Sequence, residues 1–379
     1  MPTSQFIIYS KIKLYYTAFR KSRDVVIKME NVDERFTEDR ELWNDYRIPL
    51  TFDQDKMTKW FNEERGGIRG GADVFYLMFG ITYNCQLKCP HCCVGNYENE
   101  PDRDLTTEEI KSVLDQSDKA FVVNFFGGEP TMRPDLMELI KYASERAVYV
   151  FCDTNGIKIT KEYAKELKKN GLEMLYVSVD SPISEKHDHL RGMKGLFETA
   201  IQGVKNALSV GLNSSLSTYI THENLANGEF EDVIKLAKSM KASGVRYLLP
   251  TPTGRWLYNP EVRLSLEEQK KVRKLAKFPY VCRDFYFQNQ TSSQCRGMSD
   301  HVYFYISPYG DVQPCCFIPL TAGNVREEPL KTILDRMWKH QMFSEDWVKK
   351  ECPMLNEDFR KKYIDSVPSD AKLPVKMKF

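Results

Sequence analysis

The chain has 379 residues, of which 42% are hydrophobic and 12% aromatic, which is typical of a folded protein with a substantial core. Its formal net charge of +1 gives no basic footprint for a nucleic-acid partner, and no apolar run reaches the roughly 18 to 20 residues that span a bilayer. Ten cysteines, several of them clustered and none preceded by a recognisable signal peptide, favour metal ligands in a cytoplasmic protein over a secreted disulfide framework.

The first 72 residues form the predicted N-terminal extension. Apolar and tyrosine side chains recur at helical spacing from Ile8 to Phe19, and lysines and arginines flank them. A basic amphipathic helix of this kind either packs on the body of the protein, which we favour, or lies on a membrane surface. The sequence therefore leaves open a peripheral membrane contact through residues 1–23.

Residues 73–255 alternate strand-like and helix-like patterns in the rhythm of repeated βα units. The apolar run at 74–81 predicts a strand buried on both faces, and Thr106 with two acidic residues behind it predicts the start of a helix. Further strands are predicted at 121–126, 148–151, 174–179, 212–220 and 245–249. About six strands with helices between them predict a parallel sheet, either open or curled into a barrel.

Three cysteines, Cys85, Cys89 and Cys92, follow the first predicted strand with the spacing Cys-x3-Cys-x2-Cys. Three thiolates on one short loop bind three irons of a cubane iron–sulfur cluster and leave the fourth iron open for a cofactor or substrate. A zinc site that recruits a distant fourth ligand is the alternative at this point. Cys93 falls outside the spacing, and we interpret it as a packed thiol.

Polar turns end the next predicted strands. Gly127 and Gly128 let the backbone come close to a ligand, and Glu129 and Pro130 follow them. Later turns add Asn155, Ser178, Asp180 and Arg191. Since the carboxyl ends of parallel strands meet at one edge of a sheet or barrel, these groups are predicted to form one site. Taken alone, each turn also fits an ordinary strand-to-helix connection.

From residue 281 the pattern changes. The segments 302–306 and 312–314 flank a turn with the sequence Ser-Pro-Tyr-Gly-Asp and predict a small hairpin. Five cysteines surround this hairpin, namely Cys282, Cys295, Cys315, Cys316 and Cys352.

The cysteine spacing, with the aromatic His91 before the last cysteine, resembles the signature of the radical S-adenosylmethionine (SAM) superfamily. The resemblance covers about residues 75–255 and implies a partial (β/α)6 barrel of the TIM type, in which SAM chelates the open iron of a [4Fe–4S] cluster. It also implies contacts to SAM: the amino group at the Gly127-Gly128-Glu129-Pro130 turn, the ribose at Ser178 and Asp180, and the carboxylate at Arg191. Asn155 falls on a further position near SAM.

Residues 281–356 resemble the SPASM or Twitch extension of the same superfamily, which implies auxiliary iron–sulfur clusters. The cysteines present suffice for one such cluster, and the predicted ligands are Cys282, Cys295, Cys315 and Cys352. Cys316 is the alternative to Cys282, disfavoured because adjacent residues of an extended chain point to opposite faces. Leu355 stands where the family has a second late cysteine, so the fourth ligand stays open. A zinc site or free thiols are the alternatives.

The resemblance implies an enzyme that cleaves SAM reductively to a 5′-deoxyadenosyl radical, which abstracts hydrogen from a substrate. It implies a one-electron donor such as flavodoxin or ferredoxin. The substrate is predicted to be a peptide or protein side chain or a small-molecule precursor, with a membrane lipid as the alternative. A zinc-binding interaction protein without activity is the alternative from another class. A linker helix within 256–280 and a surface tail at 357–379 complete the predicted organisation.

Overall fold

The computed structural model describes residues 76–97, 103–117, 120–147, 149–276, 280–283, 295–299, 301, 303–347 and 351–379. The predicted N-terminal extension, with its amphipathic stretch at 1–23, lies outside these residues. In the described part of the chain, no helix is both long and apolar enough to cross a membrane.

Six parallel strands form the centre of the fold, most of them short runs rich in β-branched and aromatic residues. They are β1 (Tyr76–Thr82), β2 (Val122–Gly127), β3 (Tyr149–Thr154), β4 (Met174–Ser178), β5 (Asn213–Tyr219) and β6 (Val245–Leu248). Each strand pairs in parallel with the next one along the chain. Every residue of β1 and β3 is buried, as expected for strands covered on both faces.

Helices connect these strands. They are α1 (Thr107–Gln116), α2 (Leu136–Ser144), α3 (Lys161–Lys169), α4 (Ser184–Arg191), α5 (Leu196–Ser209), α6 (His222–Ala226), α7 (Glu229–Ser239) and, after β6, α8 (Leu266–Leu275). Thr106 caps α1 as predicted, since its hydroxyl accepts from Glu109 N while the Glu109 carboxylate accepts from Thr106 N. The buried residues of α1 are Ile110, Val113 and Leu114, which is the spacing of an amphipathic helix.

The two faces of the sheet differ in what they carry. Val177 of β4 lies close to Ala200 of α5, since a methyl group at Gly156 would approach both residues. Side chains alternate along a strand, so Tyr176 and Ser178 point away from that helix, and we call their side the inner face. Residues paired across parallel strands share a face, which places Asp153 and Arg246 on the inner face as well.

Short strands from the C-terminal region extend the sheet at both edges. β7 (Val281–Arg283) pairs in parallel with β6, and β8 (Tyr303–Ile306) pairs in parallel with β1. β9 (Asp311–Gln313) forms the predicted hairpin with β8, and β11 (Gly323–Asn324) pairs antiparallel with β9. The described sheet runs from β11 to β7 without closing, as expected for a partial barrel.

The last segment differs from the expected surface tail. After α9 (Arg296–Ser299), the strand β10 (Leu320–Thr321) and α10 (Leu330–Trp338), residues 357–379 form α11 (Glu357–Tyr363) and β12 (Val375–Lys376), which pairs with β10. Phe359 and Ile364 are fully buried. The segment is rich in Lys, Pro and Asp, so composition alone did not reveal its two apolar anchors.

Candidate active site

The loop that leaves β1 carries the three predicted cluster cysteines. Cys85 is exposed, Cys89 is buried and Cys92 is half-buried, and a turn closed from Cys92 N to Cys89 O at 3.2 Å joins the last two. Burial raises the pKa of the Cys92 thiol to about 11 and raises that of Cys89 as well. Thiolates at these two positions therefore need a nearby positive charge, which a bound metal supplies.

The donor set on this loop fits an iron–sulfur cluster with one open iron. Among the described residues, no three His, Cys, Asp or Glu side chains converge on the position of a single metal ion. A cubane cluster does not require that convergence, because each thiolate binds a separate iron. Cys85, Cys89 and Cys92 are the residues that would hold it.

Two glycines bring the end of β2 against the cysteine loop. Gly128 N donates to Thr82 O at 2.7 Å, and Glu129 N donates to Asn84 O at 2.8 Å. A methyl group at Gly128 would lie 2.5 Å from Tyr83 O, and one at Gly127, whose φ is +142°, would overlap Thr82 O. The predicted close approach of backbone at this turn is therefore an approach to the loop that carries the cysteines.

Glu129 is buried behind that turn, and the following Pro130 begins a short 3-10 turn, Pro130–Met132. The Glu129 carboxylate accepts hydrogen bonds from Thr131 Oγ1 at 2.6 Å, Thr154 Oγ1 at 2.7 Å and Asn155 N at 2.7 Å. Burial raises its pKa despite these donors. Asn155 in turn donates to Gln86 Oε1 at 3.2 Å, so the ends of β2 and β3 are tied to the cysteine loop.

A second buried carboxylate, Asp180, links the cysteine loop to the end of β4. Arg191 Nε donates to Asp180 Oδ2 at 2.7 Å, and His91 Nε2 lies 3.2 Å from the same oxygen. Tyr219 N donates to Oδ1 at 3.1 Å. Burial alone would raise the pKa of Asp180, but the guanidinium of Arg191 and the ring of His91 hold it well below its usual range. Ser178, two residues earlier, is half-buried on the inner face.

Two family models match the chain: the radical SAM superfamily over residues 79–237, and the SPASM iron–sulfur cluster-binding domain over residues 295–356. The AdoMet-dependent heme synthase of Nitratidesulfovibrio vulgaris is 28% identical over 284 residues, which cover 67% of this chain and 76% of the relative. The chain belongs to the radical SAM superfamily.

Two further similarities agree with this family. The Fe-coproporphyrin III synthase of Methanosarcina barkeri is 36% identical to this radical SAM chain over 198 residues, which cover 52% of the chain and 49% of that relative. The crystal structure of Streptococcus suis SuiB bound to the precursor peptide SuiA aligns with a TM-score of 0.58 at 15% identity. That alignment covers 90% of this chain and 79% of SuiB, and it shows a shared fold.

The predictions of superfamily, fold class, enzymatic activity and cofactors are confirmed. The protein is a radical SAM enzyme with an iron–sulfur cluster and SAM as cofactors and with an iron–sulfur cluster-binding SPASM region. When bound and reduced, the cluster supplies the electron that splits SAM into methionine and a 5′-deoxyadenosyl radical, which then abstracts hydrogen from the substrate. The alternative hypothesis, a zinc-binding interaction protein without activity, is therefore wrong.

The segment after β6 contacts the cluster loop of this radical SAM enzyme, although the sequence beyond residue 255 predicted only a linker. Arg255 N donates to Cys92 O at 3.1 Å, and Trp256 lies with its ring centroid 5.9 Å from that of His91. Thr253 Oγ1 donates to Phe317 O at 2.8 Å, so the same segment also contacts the SPASM region. The available signal was one more polar turn at a strand end, Thr-Pro-Thr-Gly.

Sequence reasoning also missed a buried ion pair on the inner face. Arg246, with 5% of its surface exposed, pairs with Asp153 and donates to Ser217 Oγ at 2.9 Å. Its guanidinium carbon lies 4.0 Å from the ring centroid of Tyr176. Asn124 Nδ2 donates to Asp153 Oδ2 at 2.8 Å. These residues lie within strands rather than at strand ends, and the available signal was charge within apolar runs.

The C-terminal cysteines fall into two groups. Burial is the main cause that raises the pKa of the Cys352 thiol, and the nearby Cys295 and Cys315 raise it further. The charge of Arg283 acts in the opposite direction. Cys282 pairs with Arg246 across β6 and β7, so it points to the inner face, opposite to Arg283. Cys316 accepts a weak hydrogen bond from Tyr303 Oη at 3.7 Å. Cys295 and Cys315 are thus close enough to Cys352 to raise its pKa, whereas Cys282 faces the inner side of the sheet. The set of auxiliary-cluster ligands stays a prediction.

Proposed function

We propose that Cys85, Cys89 and Cys92 hold the SAM-binding [4Fe–4S] cluster of this radical SAM enzyme. The observation that carries the proposal is the link between three strand ends. The cysteine loop accepts backbone hydrogen bonds from the end of β2, and His91 contacts the buried Asp180 after β4. One loop therefore presents three thiols next to the polar groups that the family uses for SAM.

The flanking residues have separate roles in this proposal. Gly127, Gly128 and Pro130 shape the turn that faces the amino group of SAM. The Glu129 carboxylate holds that turn by accepting three hydrogen bonds. Asn155 fixes the cysteine loop through Gln86. Ser178 and Asp180 face the ribose. Arg191 faces the carboxylate, and its Nε bond to Asp180 orients the guanidinium for that contact.

Anaerobic reconstitution tests the cluster assignment. The reconstituted enzyme should contain iron and sulfide and form 5′-deoxyadenosine from SAM with a strong reductant, and Cys89→Ala should form none above background. Cys152→Ala is the matched control, because Cys152 is also buried but lies within β3, where its thiol contacts the backbone carbonyl of Asp153. The proposal fails if Cys89→Ala and Cys152→Ala retain the same deoxyadenosine yield.

For the substrate, we propose a carboxylate-bearing molecule that binds against the inner face near Arg246. Ser178, the proposed ribose contact, pairs with Ser217, and Ser217 accepts from Arg246. The reacting carbon of the substrate must lie near the ribose of SAM. Polar groups of the substrate would therefore lie close to Arg246. A carboxylate of the substrate would compete with Asp153 for the N–H donors of the Arg246 guanidinium. A guanidinium binds carboxylates well because its two parallel N–H donors match the two carboxylate oxygens.

Similarity to the heme synthase and to the Fe-coproporphyrin III synthase makes an iron porphyrin with carboxylate side chains the first candidate. Iron coproporphyrin III should bind the reconstituted enzyme, change its visible absorption and raise the rate of deoxyadenosine formation. Arg246→Gln should weaken that binding. A lack of binding, together with stimulation by peptides from genes adjacent to that of the enzyme, would favour peptide substrates instead.

We propose an electron donor and test a possible membrane contact. A flavodoxin or ferredoxin is proposed as the one-electron donor, tested by replacing the chemical reductant with a reduced flavodoxin. Peripheral membrane contact through residues 1–23 is tested by pelleting with liposomes before and after deletion of those residues.

A further inference from the structure

A tyrosine of the C-terminal hairpin reaches the strand that leads into the cysteine loop. β8 pairs with β1, and Tyr305 stands opposite Met78 in that register. Its side chain lies over Gly80, where a methyl group would overlap Tyr305 Oη and come within 3.0 Å of two ring carbons. Gly80 therefore leaves the space that the Tyr305 ring occupies.

The end of that side chain contacts the cysteine loop itself. Tyr305 Oη donates to Tyr83 Oη at 3.4 Å, and the Tyr305 ring lies edge-on to Phe126 with the centroids 6.3 Å apart. Tyr83 is the first residue after β1 and precedes Cys85 by two positions.

Two more tyrosines hold Tyr83 from other sides. Tyr83 stacks on Tyr97 with the centroids 5.5 Å apart, and it meets Tyr309 edge-on at 5.1 Å. Tyr305 and Tyr309 both belong to the C-terminal hairpin region, whereas Tyr83 belongs to the cluster loop. Aromatic contacts of this kind restrict side-chain motion and add to the energy of burial. The first turn of the cluster loop is thus held by side chains from another part of the chain.

We propose that Tyr305 is a positioning residue for SAM at the cluster loop. This inference rests on the proposed function, that is, on a cluster held by Cys85, Cys89 and Cys92. The carbonyl groups of Thr82 and Asn84, on either side of Tyr83, accept from the Gly128 and Glu129 amides of the turn proposed to face SAM. A shift of Tyr83 therefore moves both the ligand loop and that turn.

The test compares the SAM affinity of the full-length reconstituted enzyme with that of Tyr305→Phe, which keeps the ring and removes the hydroxyl. We expect unchanged iron content, SAM binding weakened by roughly 3- to 10-fold, as for the loss of one hydrogen bond, and an altered electron paramagnetic resonance (EPR) line shape of the reduced cluster with SAM. Tyr247→Phe is the control, because Tyr247 is buried against Phe230 on the other face of the sheet.

A double-mutant cycle with Gly80→Ala separates positioning from general destabilisation. Gly80→Ala should weaken SAM binding because the new methyl group pushes Tyr305 away. Tyr305→Phe removes the hydroxyl oxygen that overlaps this methyl group. The loss of SAM-binding free energy in the double variant should therefore be smaller than the sum of the losses in the two single variants. SAM affinity and EPR line shape unchanged in Tyr305→Phe, or strictly additive losses, would overturn the inference.

The two levels of failure are distinguishable. If the Cys89→Ala variant keeps the cluster and the SAM binding of the wild type, the proposed function itself is contradicted. A wild-type cluster that depends on Cys89, but binds SAM equally well in Tyr305→Phe, contradicts only the role of Tyr305.

Discussion

Replacing Asp180 by asparagine tests whether the pair behind the cysteine loop is a stabilising contact of the folded protein. Asp180 is 2% exposed and the side chain of Arg191 is 12% exposed, so the substitution leaves a buried guanidinium without its counter-charge. Removal of one partner from such a pair costs about 3–5 kcal/mol. Asparagine still accepts from Tyr219 N, which spares a hydrogen bond worth about 1 kcal/mol. We therefore expect the free energy of unfolding to fall by about 2–4 kcal/mol.

The assay is urea unfolding of the metal-free protein at neutral pH, followed by circular dichroism. Asp180→Asn combined with Arg191→Met should recover part of the loss, because no unpaired charge stays buried. Glu345→Gln, which breaks the exposed pair with Lys362, serves as the control and should cost less than about 1 kcal/mol. A loss in Asp180→Asn no larger than that of the control would refute the reasoning, as would a double variant that shows no recovery.

Three further predictions concern other parts of the molecule. Cys352→Ala should lose the iron of the auxiliary cluster, about four atoms per chain, while Cys282→Ala should keep it because Cys282 faces the inner side of the sheet; equal iron loss in both would instead support Cys282 as a ligand. Burial lowers the pKa of His187 from 6.5 to about 4, so the unfolded chain takes up the proton first, and stability should fall by up to about 3 kcal/mol as the pH drops from about 6.5 to 4. Urea unfolding at several pH values should show a flatter slope for His187→Asn; the same slope as in the wild type would exclude His187 as the source. Arg246→Lys keeps the charge but loses the forked contact, so substrate-stimulated deoxyadenosine formation should fall roughly tenfold while the substrate-free rate stays unchanged, and a parallel loss of both rates would contradict a role in substrate binding.

Local patterns were sufficient for the elements and for the cluster loop. The apolar strands, the capped helix at Thr106 and the three cysteines after β1 are features of adjacent residues, so they can be identified in the sequence without knowledge of long-range contacts. The hairpin at residues 303–313 was also predicted, because its turn residues lie next to each other. Periodicity could not distinguish an open sheet from a barrel, since both use the same alternation of strand and helix.

Contacts between distant residues were decided only by the tertiary structure. The pairing of β8 with β1 places Tyr305 over Gly80, more than 200 positions earlier in the chain, and no local pattern encodes that register. The same holds for Arg246, which reaches Asp153 across two intervening strands. The sequence by itself determined which residue types carry the chemistry, because ligand spacing is a local property. Only the fold determined which side chains surround them, because strand order and register bring together residues that are remote along the chain.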